Sequence, residues 1–106
     1  MKIMNRFMRI LSLAIALASC GGAAVAQDLE NGRRLAERWC AACHAVKPDS
    51  GKSKGVPSFA IIAAKENITA EMIASFLLMP HATMPNFPLS RKDANDLAAF
   101  IMAMKK

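Results

Sequence analysis

The chain has 106 residues, 14 Lys and Arg against 8 Asp and Glu, and three cysteines. Its basic residues are scattered, with none of the dense basic stripe that marks a nucleic-acid surface, and this argues against a nucleic-acid partner. The length suffices for one domain with a thin core, and domains of that size often depend on a disulfide, a metal or a cofactor.

Residues 1–9 carry Lys2, Arg6 and Arg9 and no acid, residues 10–18 are apolar apart from Ser12, and small residues continue to Ala24-Val25-Ala26. A basic start, a short apolar run and an A-x-A site describe a secretory leader. The run is shorter than the roughly 20 residues a transmembrane helix needs. It also lacks the polar face of an amphipathic surface helix. Cleavage after Ala26 removes residues 1–26 and leaves a domain of residues 27–106 in the periplasm. Without Lys2, Arg6 and Arg9, 11 basic residues face 8 acidic ones, a net charge of +3. A second reading competes. Leu17-Ala18-Ser19-Cys20-Gly21 resembles a lipobox, in which Cys20 would be lipidated and tether the domain to a membrane.

Residues 28–40 read as a helix with Asp28 as N-cap and Leu29, Gly32, Ala36 and Trp39 near one face. Residues 46–57 form a loop punctuated by Pro48, Gly51, Gly55 and Pro57. Lys47, Lys52 and Lys54 are spread through it, either as a solvated loop or as a docking patch for acidic partners. A short apolar helix is expected over 59–64. Thr69 then caps a helix running to about Met79, with Met72, Ile73, Phe76 and Met79 at helical spacing. Pro80, Pro85 and Pro88 exclude regular helix through the following ten residues. Ser90-Arg91-Lys92-Asp93 resembles a capping box, with Asp in place of Glu. It opens a last helix with Ala94, Leu97, Ile101 and Met104 on one face, ended by Lys105 and Lys106. No strand pattern is visible, and the fold class is all-α.

Cys40-Ala41-Ala42-Cys43-His44 is the attachment sequence for a c-type haem. Two thiols about one helical turn apart can each add to one vinyl group of the porphyrin, giving two thioethers. The histidine directly after the second cysteine then lies under the iron as its proximal ligand. A redox dithiol also uses C-x-x-C but expects a βαβ context. A zinc site needs more ligands than the one remaining histidine, His81, provides. A structural disulfide gives His44 no task.

An electron carrier needs a second axial ligand, and methionine raises the potential of the couple. Met72, Met79 and Met104 fall on apolar helix faces, and Met102 points away from its stripe with nothing to mark it as a ligand. Met84 sits outside any helix in Ala82-Thr83-Met84-Pro85-Asn86-Phe87-Pro88, where prolines stiffen the backbone and hold a sulfur in place at low entropic cost. Met84 is therefore the expected sixth ligand. Met79, which also precedes a proline, is the runner-up, followed by His81 in a bis-histidine site.

On these motifs the chain resembles small bacterial class I c-type cytochromes over the whole of residues 27–106. The resemblance implies helices packed around one covalent haem c, with Cys40 and Cys43 as thioethers and His44 and Met84 as axial ligands of its iron. It matches Gly32 to a glycine where first and last helices cross, and Leu97 and Phe100 to the residues packing there. It matches Pro57 to the proline whose carbonyl accepts a hydrogen bond from the proximal histidine, fixing its orientation. Asn86 follows the ligand loop closely enough to influence Met84. Ala36 replaces an aromatic residue common in relatives and the chain has no tyrosine, so propionate tuning must differ, with Trp39 and Arg91 as candidates.

The function these features imply is single-electron transfer by a free periplasmic carrier, without catalysis, through transient contacts with redox proteins. The alternatives are a small haem subunit of a larger oxidoreductase and a haem sensor or peroxidase-like enzyme. The last requires a vacant or labile sixth position.

Overall fold

Asp28 opens the first helix, α1 (Leu29–Leu35), by accepting a hydrogen bond from the Asn31 backbone N–H at 2.9 Å. The computed structural model describes residues 27–48, 55–79 and 83–106. The expected leader with Cys20, and Lys52, Lys54 and His81, lie outside these described residues. Beyond Leu35 the chain continues as a π-helical segment, Ala36–Cys40, closed by the Ala41 N–H donating to the Ala36 carbonyl at 3.0 Å. The single regular helix expected over 28–40 thus carries a wider last turn. Such turns recur at functional sites, and this one ends at the first cysteine of the motif.

Helix α2 (Phe59–Ala63) starts at Ser58, whose hydroxyl accepts from the Ile61 N–H at 3.1 Å. Helix α3 (Ala70–Leu78) starts at Thr69, whose hydroxyl accepts from the Met72 N–H at 3.1 Å. Helix α4 (Arg91–Met102) starts at the expected capping box. The Asp93 N–H donates to the Ser90 hydroxyl at 3.0 Å, and the Ser90 N–H donates to the Asp93 carboxylate at 3.4 Å. Lys105 and Lys106 follow the helix end at Met102 instead of forming its last turn. All secondary structure among the described residues is helical, so the fold is the expected all-α one.

Helix α4 packs against α1, α2 and α3 and organises the core. Its Ala94, Leu97, Ala98 and Ile101, with Met104 beyond it, are buried together with Ala36, Val46, Phe59, Ala63, Ile73 and Ala74. Two expected faces differ. Leu29 is half exposed at the outer end of α1, whereas Gly32 and Leu35 of that helix and Ala36 beyond it reach the interior. On α3, Met72, Phe76 and Met79 are exposed, and Ile73, Ala74 and the partly buried Leu77 pack inward. This helix is apolar around most of its circumference, so spacing alone admitted either stripe.

Gly32 meets α4 where the resemblance placed it. A β-carbon on Gly32 would overlap the Asp96 carbonyl oxygen and come within 2.8 Å of the Phe100 β-carbon. Only the absence of a side chain lets the two backbones approach so closely. Polar groups then lock the crossing. The buried Asp96 carboxylate accepts from the Asp28 N–H at 2.8 Å, the Asn31 amide at 2.9 Å and the Lys92 ammonium at 2.5 Å. Burial alone would raise the Asp96 carboxyl, but the hydrogen bonds from Lys92, Asp28 and Asn31 outweigh it. They hold it below the usual carboxylate range. Asn31 also donates to Asp93 at 3.0 Å, so one amide joins α1 to both acids of α4.

Candidate functional site at the CAACH turn and the Met84 segment

After the π-helical segment the CAACH motif folds into a tight turn. The Cys40 carbonyl accepts from the Cys43 N–H at 3.1 Å and from the His44 N–H at 2.9 Å. Both bonds converge on one oxygen, so the two cysteines and the histidine belong to one compact unit. Cys40 and Cys43 are not joined in a disulfide; Cys43 is exposed and Cys40 partly buried. Burial pushes the Cys40 thiol up to about 11. A thioredoxin-like dithiol expects a βαβ context, and all secondary structure among the described residues is helical.

His44 is held on two sides. Its Nδ1 lies 2.6 Å from the Pro57 carbonyl oxygen. A carbonyl only accepts, so Nδ1 carries a proton, and of the two neutral tautomers the contact selects the one with its lone pair on Nε2. The imidazole also packs against Phe59, with centroids 5.5 Å apart, and Phe59 meets Phe100 edge-on at 6.4 Å. The ring is therefore tied through Phe59 and Phe100 to the Gly32 crossing. Pro57 reaches its position because Gly55 turns the chain at a φ of +77°, which glycine adopts without strain. The Phe59 N–H donates to the Ala45 carbonyl at 3.0 Å and fixes the return of the loop beside His44.

Met84 is half buried in the non-helical segment between α3 and α4. Phe87, three residues later, stacks on Trp39 with centroids 5.6 Å apart and planes within 6°. That stack brings the Met84 segment alongside the residue preceding Cys40. Trp39 was expected as a candidate for propionate tuning, and its packing on Phe87 is the contact that the sequence did not disclose. Met79, the runner-up ligand, is exposed in extended backbone at the end of α3. Asn86 and Arg91 are exposed.

These residues fit a covalently attached haem. Two cysteines stand one turn apart, the neighbouring imidazole is oriented through its Nδ1, and a thioether lies in a segment pinned beside them.

Comparison with known proteins agrees with this reading. The family described as "Cytochrome C oxidase, cbb3-type, subunit III" matches residues 27–101. The "Cytochrome c-552" of Bradyrhizobium diazoefficiens is 44% identical over 103 residues, covering 96% of this chain and 99% of that protein. No solved structure matches the chain significantly. Similarity along almost the whole length of a c-type cytochrome, in a chain with one haem-attachment motif, places this protein in the cytochrome c family, as a monohaem electron carrier that binds haem c covalently.

Proposed function

We propose that Cys40 and Cys43 form the two thioethers, that His44 and Met84 are the axial ligands, and that the mature chain is a free periplasmic carrier without substrate chemistry of its own. The observation that carries this reading is the 2.6 Å contact between His44 Nδ1 and the Pro57 carbonyl. It fixes the ring and its tautomer, raises the basicity of Nε2 and directs that atom to a metal.

When bound, haem supplies a one-electron Fe(III)/Fe(II) couple. The rest of the task falls to the chain. Cys40 and Cys43 keep the group from dissociating. His44 and Met84 would together hold its iron, which would leave no place there for a substrate. A thioether as the second ligand would favour a higher potential than a second imidazole. Apolar side chains around the site disfavour extra buried charge and act in the same direction.

Export is supported by the basic start, the apolar run and the A-x-A site of the first 26 residues, and by a family match that begins at Gln27. Cleavage after Ala26 gives a soluble product, and lipidation of Cys20 is the competing reading. The whole-length similarity to a cytochrome of nearly the same size favours a free carrier. The family description names an oxidase subunit, which favours the second reading, a haem subunit of a larger oxidoreductase. Gel filtration of native extract separates the two. A free carrier elutes near the mass of its mature chain, and elution of all the haem c protein in a large assembly would establish the subunit.

A further inference from the structure

The segment carrying Met84 has to keep a sulfur on iron while lying outside any helix. Between α3 and Ser90 it contains Pro85 and Pro88, which donate no backbone hydrogen bonds. One local bond, Leu89 N–H to the Phe87 carbonyl at 2.8 Å, tightens the chain directly after the Phe87 ring. That ring lies nearly parallel to Trp39, the only tryptophan of the chain. Trp39 in turn sits in the π-helical segment, next to Cys40. The Arg38 guanidinium lies over the same indole, 5.2 Å from its centroid.

We propose that the Trp39–Phe87 stack is a latch that holds the Met84 segment against the haem-attachment turn, so that Trp39 is a positioning residue for the sixth ligand. The proposal rests on Met84 being that ligand. Its physics is a competition. An added ligand can occupy the sixth position only in the fraction of molecules whose loop has swung Met84 away, and its apparent affinity is reduced by that fraction. The stack exists only while the loop is closed, so it biases this equilibrium without touching the iron. Its near end cannot drift, because Trp39 adjoins a residue that the haem itself would tether.

The test is an imidazole titration of the purified ferric holoprotein, followed by absorbance, with the far-red band of methionine–iron bonding as a second signal. Trp39→Ala is expected to bind imidazole about tenfold more tightly than wild type and to lose part of the band, as removal of a stacked aromatic pair implies. Trp39→Phe keeps a stacking ring and should restore both signals. Phe87→Leu removes the stack from the other side and carries the same decision if Trp39→Ala fails to mature. A purely structural tryptophan would lower the unfolding temperature and leave imidazole affinity unchanged. Met84→Ala separates the two levels of the argument. If it leaves the affinity at the wild-type value, the ligand assignment itself fails. If Met84→Ala raises the affinity but Trp39→Ala and Phe87→Leu do not, the assignment stands and the latch is overturned.

Discussion

Replacing Met84 by alanine is expected to abolish the far-red band of the ferric protein, lower its reduction potential and open the sixth position to added ligands. A sulfur that occupies its site about 99% of the time reduces the apparent affinity of a competitor about 100-fold, so its removal should raise imidazole affinity by that factor. The potential falls because the remaining or incoming ligand is a poorer stabiliser of the ferrous state than a thioether. Met79→Ala is the control: its residue is exposed at the end of α3, and its loss should leave band and potential in place. If Met79→Ala removes the band and Met84→Ala does not, the ligand is Met79. If neither removes it, another methionine holds the iron, and if the wild-type protein lacks the band altogether, His81 or an open position is left and the electron-carrier mechanism changes accordingly.

The second large effect is expected at Asp96, far from any ligand. Asp96→Ala removes an acceptor that serves the Asp28 N–H, the Asn31 amide and Lys92 at once. Lys92 is exposed and can return to water, so no buried charge is stranded. The loss is of the hydrogen bonds to a buried carboxylate, which places the cost at about 3 kcal/mol. The pH dependence follows from the depressed carboxyl of Asp96. Its stabilisation is complete above the unfolded-state value of about 4 and disappears as pH falls through the lower folded-state value. Guanidinium unfolding of the ferric holoprotein at neutral and acid pH measures both. Wild type should lose stability on acidification below about pH 4 more steeply than Asp96→Ala. Equal slopes, or an unchanged neutral midpoint, would remove Asp96 from the account of the α1–α4 crossing.

Sequence and structure agree unevenly, for physical reasons. CAACH is legible because five adjacent positions constrain one another, and the caps at Asp28, Thr69 and Ser90 because capping chemistry is local. Gly32 and Pro57 were reached through family resemblance, since their partners lie far along the chain. Four features escaped. The π-helical turn adds one residue to a single turn, below what periodicity can resolve. Asp96 lies outside the apolar stripe of Ala94, Leu97, Ile101 and Met104, and is buried where Gly32 lets α1 approach. On α3 the stripe of Met72, Phe76 and Met79 is as regular as that of Ile73, Ala74 and Leu77, and only the position of α4 selects between them. The Trp39–Phe87 stack belongs to the same class, a pairing of two segments that no local pattern announces.

The central claim is that one haem is bound covalently through Cys40 and Cys43, and intact-mass spectrometry of the denatured protein tests it most directly. Expressed with a periplasmic cytochrome c maturation system, the protein should give a single species: the chain beginning at Gln27 plus one haem. Cys40→Ala together with Cys43→Ala should give the polypeptide alone. A wild-type mass equal to that of the polypeptide, with all colour lost to acid acetone, would contradict the account.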